Sequence, residues 1–264
     1  MDSQGEKAPS VRQSAGFVPP TKRRTLRVTS YRFAKIRARP TGVPWEYLQP
    51  PLDEYFNTLF TSLGPQHWWP GETQFEIVVG AILTQNTSWK NVDRAISNLR
   101  DAALLTPVAL EKVSLSRLER LVRPSGYFRQ KARKLKAFCD FLRLEYRGSL
   151  KRMFDTPTIV LREKLLGVFG IGPETADSIL LYAGEHAVFV VDTYTKRILL
   201  RHGWISEKAK YEEVRWLVER QFSGDVRRLN EFHALIVNAG KTWCVKQGPQ
   251  CDKCPLGRYL EENR

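Results

Sequence analysis

The sequence predicts an all-α fold, and three observations carry that reading. Beyond residue 45, apolar residues recur at spacings of three and four almost to the end of the chain. Strand signals shrink to one β-branched run, Ala187 to Val191. With 264 residues, of which 42% are apolar, the chain is long enough for one large domain or two modest ones with a true core.

Taken in order, Leu52, Tyr55, Phe56, Leu59 and Phe60 form the first buried stripe and predict a helix over 52–62. Comparable stripes predict helices over 74–84, 88–100, 107–112, 115–122, 128–145 and 158–166. A helix over 173–183 opens on Pro173, a residue suited to the first helical position. The Ala187–Val191 run is too short to tell a strand from an extended lead-in to the next helix. That helix, over 193–202, follows Asp192, and two more are predicted over 207–220 and 226–240. No internal repeat is visible.

Charge narrows the function. Lys and Arg number 42 against 28 acids, a net charge of +14, as expected of a protein that holds a polyanion. Residues 1–45 carry ten Lys or Arg, two acids and five prolines without apolar periodicity, and so predict a disordered basic arm. An organelle transit peptide is the other reading of that composition. The second concentration runs from Arg117 to Arg152, with twelve Lys or Arg against three acids, and contains Arg129, Lys131, Arg133, Lys134 and Lys136. It predicts either a phosphate-following stripe or a solvated helix face. No stretch approaches the roughly 18 unbroken apolar residues of a membrane span, so a membrane role is set aside. Four cysteines, Cys139 alone and Cys244, Cys251 and Cys254 crowded, make no disulfide framework and point to a reducing compartment with a metal site.

The run Leu165, Leu166, Gly167, Val168, Phe169, Gly170, Ile171, Gly172, Pro173 reads as helix, glycine turn and helix. Gly170 and Gly172 permit left-handed backbone angles and leave amide N–H groups uncovered, while the following helix points its positive end the same way. A phosphate can dock there without base contacts; a plain interhelical turn would read alike. Val190, Val191, Asp192 and Thr193 follow, with Asp192 suited both to acid chemistry and to capping its helix.

With these features in order, the chain resembles the helix-hairpin-helix superfamily of base-excision DNA glycosylases, the endonuclease III type, over about residues 50–258. Besides the hairpin and the aspartate context, Cys244, Cys251 and Cys254 match the opening of that family's four-cysteine iron–sulfur loop. Phe75 to Asn86 matches its early helix and DNA-inserting loop. The resemblance implies an all-α, two-lobed fold: a helical barrel over 66–186 ending in the hairpin, and a second lobe from 46–65 and 187–264. It implies that Asp192 is catalytic, that Gln85 or its neighbour Asn86 fills the stack when a nucleotide flips out, and that Gly170, Gly172, Arg129, Lys131 and Lys134 face DNA.

Strand-cutting members use a lysine two residues after the second hairpin glycine. Here Glu174 stands there, and a carboxylate forms no imine, so lyase chemistry is expected to be absent. Trp68, Trp69 and Pro70 precede the early helix and Trp89 follows its loop, an aromatic set that suits a cationic, alkylated purine and is similar to the 3-methyladenine branch. Tandem tryptophans also serve as core. Lys241 sits where that branch has a pocket lysine, and Glu174 itself lines the expected pocket. His186 and His233 show no ligand spacing and read as packing or surface residues.

The cysteine loop departs from the family: position 260, where a fourth cysteine belongs, is leucine. A [4Fe-4S] cluster with a fourth ligand from water, Glu261 or Cys139, a zinc ion, or a metal-free loop are the readings left open. The expected function is a monofunctional glycosylase that hydrolyses the N-glycosidic bond of an alkylated purine, acting as a monomer on double-stranded DNA. Alternatives are a uracil or mismatched-thymine glycosylase and a non-catalytic DNA-binding module. The expected location is the bacterial cytoplasm, at the nucleoid, with nucleus or organelle left open.

Overall fold

A computed structural model of the protein describes residues 49–261, so the arm expected over 1–45 lies outside the described residues. Every regular element among them is helical: α1 (Leu52–Leu63), α2 (Gln74–Leu83), α3 (Trp89–Asp101), α4 (Pro107–Lys112), α5 (Leu115–Leu121), α6 (Phe128–Tyr146), α7 (Leu150–Phe154), α8 (Thr158–Leu166), α9 (Pro173–Ser178), α10 (Thr193–Arg201), α11 (Tyr211–Glu219), α12 (Val226–Thr242) and α13 (Arg258–Glu261). No helix among the described residues is long and apolar enough to cross a membrane.

The fold is two-lobed, and each lobe gathers around one helix. α2 is apolar on every side, buries Phe75, Val78, Val79, Gly80, Ala81, Ile82 and Leu83, and packs against α3, α6 and α9. Thr73 starts it by accepting from the Glu76 N–H, and the buried Glu76 carboxylate is paired with Arg100 at 2.7 Å. α6 turns Ala132, Leu135, Phe138, Cys139 and Leu142 inward, spaced by three and four, and carries α4 and α5 on that face. In the other lobe α12 packs against α1 and α10. The Tyr55 hydroxyl of α1 bonds His202 Nδ1 at 2.6 Å and Thr58 meets the Tyr259 hydroxyl at 2.9 Å, ties that join opposite ends of the chain.

The helix expected over 173–183 changes pitch. After Ser178 it widens into one π-helical turn, Ile179–Ala183, buried throughout, which touches both α2 and α12. The β-branched run after it is no strand. Its residues 188–191 are buried and irregular, and side chains satisfy the backbone: Phe189 N–H donates to Glu219 at 2.8 Å and Val191 N–H to the Tyr211 hydroxyl at 3.2 Å. Behind the hairpin, Arg162 of α8 grips Asp177 of α9 through two bonds of 2.6 and 3.0 Å and reaches Glu212 of α11 at 2.7 Å. Asp177 is wholly buried, so this network fixes the hairpin against the second lobe.

Candidate active site

The hairpin forms as the sequence implies, with one correction. Gly170 adopts φ +80°, a left-handed angle, and a Cβ there would lie 2.4 Å from Lys134 Cγ. Gly172 is extended at φ −95°, so its value is openness: nothing lies within 4 Å of where a Cβ would project. Ile171 anchors the turn in the core while Phe169 stays 63% exposed.

Gln85, expected to project toward the stack, is committed to this hairpin. Its Nε2 donates to the Gly170 carbonyl at 3.1 Å and to Thr175 Oγ1 at 2.9 Å, and its Oε1 accepts from Lys134. Asn86, at φ +54°, is the exposed residue of that loop. One further expectation fails by burial. Lys131 is 2% exposed, with Nζ donating to the Leu83 carbonyl at 2.9 Å and the Ser125 carbonyl at 2.6 Å, and burial lowers its pKa to about 8. It pins the end of α2 to the 3₁₀ turn Arg123–Ser125 and faces no ligand. Lys134 is half-buried under the hairpin, and Lys136 caps α4 through the carbonyls of Leu110, Glu111 and Val113. Arg129 and Arg133 remain exposed. So does Tyr127 at 68%, an aromatic before α6 that the sequence reading passed over.

Asp192 both caps a helix and keeps an oxygen in reserve. Oδ1 accepts from the Thr195 N–H at 2.7 Å at the start of α10, and Oδ2 turns toward His233 Nε2 at 3.8 Å. The side chain is 12% exposed. His233 comes from α12 and Tyr182 from the π turn, and the Tyr182 hydroxyl bonds His233 Nδ1. His233 is 5% exposed and packs against the Tyr182 and Phe189 rings, which fits the packing expectation, and its bond to Tyr182 gives it a polar partner. His186 does pack, bonding Thr158 and the Phe154 carbonyl.

The tryptophans divide by role. Trp69 stacks edge-on with Trp89 at 5.1 Å, lies 4.9 Å from the Tyr182 ring and covers Gly80, making a packed wall. Trp68 carries the Lys241 ammonium 5.2 Å from its ring centroid, with Tyr194 on the other side of that cation at 6.0 Å. Pro70 is exposed beside them. Glu174 is exposed in the first turn of α9, and packing around it buries part of its carboxyl. That burial, with the Asp192 charge second and Lys196 opposing, raises its pKa to about 7. Asp192, Glu174, the three indoles and Lys241 thus come from five segments, tied by the Trp68–Lys241 and Trp69–Trp89 contacts and by the charge of Asp192 acting on Glu174.

The cysteine loop closes on a separate cavity, lined by Cys244, Cys251, Cys254, His202, Arg201 and Leu260 among others. Arg201 donates to Cys244 Sγ at 3.1 Å, while burial raises the Cys251 thiol and lifts Cys254 to about 11. The residues present do not fit a four-ligand cluster: Leu260 faces the cavity where a thiolate would be needed. Among the described residues no three His, Cys, Asp or Glu side chains are grouped to hold a metal ion. Cys139 supplies no fourth ligand, being buried in α6 beside Lys136 and Glu111 with its thiol pushed up to about 12. The Glu261 side chain lies outside the described residues.

Residues 79–223 match the HhH-GPD superfamily of base excision DNA repair proteins. A Methanocaldococcus jannaschii protein, provisionally named a DNA repair glycosylase, is 47% identical over 206 residues, covering 77% of this chain and 93% of its own. The crystal structure of Helicobacter pylori 3-methyladenine DNA glycosylase bound to 1,N6-ethenoadenine aligns with a TM-score of 0.64 and 29% identity, covering 74% of this chain and 98% of that one. A non-covalent endonuclease III–DNA complex aligns at 0.68 and 22% identity over 84% of this chain and 97% of that one, a likeness of fold. With the hairpin, the aspartate at the head of α10 and this match in place, the chain belongs to the HhH-GPD superfamily of base excision DNA repair proteins.

Proposed function

We propose that this base-excision DNA glycosylase is monofunctional and hydrolyses the N-glycosidic bond of an alkylated purine in duplex DNA, with water as the nucleophile. The observation that carries the reading is Glu174, near enough to Asp192 to feel its charge, a carboxylate standing where an imine-forming lysine would be required. The likeness to the 3-methyladenine enzyme, at 29% identity, supports the choice of base.

In this reading the flipped purine lies against the indole group of Trp68, Trp69 and Trp89, whose ring faces attract a cationic base. An alkylated purine is already a good leaving group, so no acid is needed to protonate it. As the glycosidic bond lengthens, positive charge grows on the sugar, and Asp192 Oδ2 stabilises it and orients the water. Asn86, rather than the committed Gln85, fills the vacated stack. The hairpin amides, Arg129 and Arg133 follow phosphates.

The pyrimidine alternative calls for free amides to read a neutral base. Asn238 is spent: its Nδ2 donates to Gln66 at 2.8 Å and its Oδ1 accepts from Thr242 at 3.1 Å. The test is release of free bases from methylated, uracil-containing and G·T-mismatched duplexes, run beside borohydride trapping. Base release should come from methylated DNA alone, with the strand uncut and nothing trapped. Asp192→Asn should lose about 10²–10⁴ in rate while still binding DNA. Efficient trapping of the wild type, or an active Asp192→Asn, overturns the reading.

A further inference from the structure

His233 is the buried titratable group that the mechanism above leaves unused. It is 5% exposed, its Nδ1 is bonded to the Tyr182 hydroxyl, and its Nε2 has no hydrogen-bond partner, although a buried imidazole nitrogen ordinarily finds one. That orphan nitrogen points at the Asp192 oxygen not used for capping, 3.8 Å away. The gap is longer than a hydrogen bond, as such contacts often are before substrate tightens them.

The proton positions follow from the partners. Tyr182 is buried beside Asp192, and both burial and that charge hold its phenol in the protonated form. The Trp68 indole N–H acts on the phenol oxygen without reaching hydrogen-bond geometry. A phenol held protonated can give its proton to His233 Nδ1, and a neutral ring then carries its hydrogen on Nε2. Burial disfavours the imidazolium, the Asp192 charge favours it and Lys241 disfavours it, with the lowered pKa the net result. The line Tyr182, His233, Asp192 is then polarised toward the carboxylate.

We propose that His233 is a positioning residue, held by Tyr182 as the neutral Nε2–H tautomer so that this N–H steadies Asp192 Oδ2, the oxygen left over from capping α10. This rests on the reading of Asp192 as the reacting carboxylate. The need is geometric: Oδ1 is held by the Thr195 N–H, and a donor at Oδ2 would hold the second oxygen in place. The other groups facing this pair are Tyr182 from the π turn, Lys196 on α10 and Lys241 on α12.

The test titrates the Asp192 carboxyl by ¹³C NMR in the full chain, the signal being assigned by its loss in Asp192→Asn. His233→Leu removes the donor, His233→Gln restores an amide N–H at similar reach, and Tyr182→Phe frees the tautomer while keeping the ring. Each is repeated with Glu174→Gln so that the Glu174 titration does not mask the result. The Asp192 midpoint should rise by about one unit, a tenfold loss of ionised form near the midpoint, in His233→Leu and by less in Tyr182→Phe. His233→Gln should stay near wild type. Single-turnover base release from methylated duplex should fall in His233→Leu at low pH and recover as pH rises, with duplex affinity unchanged, a pattern that loss of packing alone would not give. An unmoved midpoint in Tyr182→Phe and in a folded His233→Leu overturns the inference. Should His233→Leu fail to fold, Tyr182→Phe decides. A fully active Asp192→Asn would instead reject the catalytic reading, leaving the titration to judge the coupling alone.

Discussion

Replacing Arg162 with Met should be among the most damaging changes outside the candidate active site. Arg162 is 13% exposed and Asp177 is wholly buried, joined by bonds of 2.6 and 3.0 Å, with a third from the same guanidinium to Glu212 at 2.7 Å. Removing the cation leaves a carboxylate in the interior with only the Tyr211 hydroxyl and the more distant Arg215 to answer it. Such an uncompensated charge costs about 3–5 kcal/mol. At about 2–4 °C per kcal/mol for a domain of this size, the melting temperature should drop roughly 6–20 °C. Urea unfolding and calorimetry measure both.

The sign of the pH dependence separates a stranded charge from simple loss of packing. Burial already holds the Asp177 carboxyl above its ordinary 3.8, with Arg162 pulling it back, so Arg162→Met raises it further. A carboxyl whose folded pKa exceeds its unfolded one loses stability as pH climbs between the two values and regains it on acidification. The deficit of Arg162→Met relative to wild type should therefore shrink as pH falls from about 8 to about 5. Arg162→Met with Asp177→Asn should recover most of the loss at every pH, since the stranded charge is gone. A single substitution costing under about 1 kcal/mol, or a double variant no better than the single, would show that no buried charge is being held by Arg162.

Gly170→Ala places a Cβ at φ +80° and 2.4 Å from Lys134 Cγ. It should cost about 1–2 kcal/mol in left-handed strain alone and weaken duplex binding by displacing the Lys134–Gln85 tie, read by unfolding and filter binding side by side. Lys131→Met should reveal the opposite pH signature to a surface lysine. With its native pKa lowered to about 8 from 10.5, wild type should gain stability relative to this variant as pH rises through that interval, where the unfolded chain binds the extra proton. Leu260→Cys should raise iron and acid-labile sulfide per chain above the wild-type level after anaerobic reconstitution; equal content in both would show that the leucine is not what limits the site.

Much of the fold was legible because amphipathic helices write their period into the sequence. α6 and α12 appear within a residue or two of their expected bounds, since their inward stripes and outward charges alternate cleanly. The π turn was not legible. Ile179 to Ala183 are all buried, and a segment that is apolar on every side carries no period from which its pitch could be read. The β-branched run failed for a related reason: what satisfies its amides are Glu219 and Tyr211, side chains of a helix further along the chain. Short α7 and α13 lie below the length at which a stripe can be counted.

The site splits along the same line. The hairpin and Asp192 were readable because each is local: turn glycines, a helix-starting proline and an aspartate before a helix act within a few residues. His233 was invisible because its meaning comes from Asp192 and Tyr182, on two other elements. The basic stripe shows how composition misleads when read without period. Lys131 lies four residues before Leu135 on the very stripe that continues through Phe138 and Leu142, a position that predicts an inward side chain whatever its charge. Its ammonium ends on two carbonyls, as Lys136 ends on those of α4, so part of the +14 is spent inside the fold and the surface facing a polyanion is less basic than the count. Of the basic residues on α6, Arg129 and Arg133 stay exposed, and in the proposed function they follow phosphates. Neutralising these two should flatten the salt dependence of binding by about 1 in logarithmic slope for each phosphate left without its arginine, whereas neutralising Lys131 should leave the slope alone and lower stability instead.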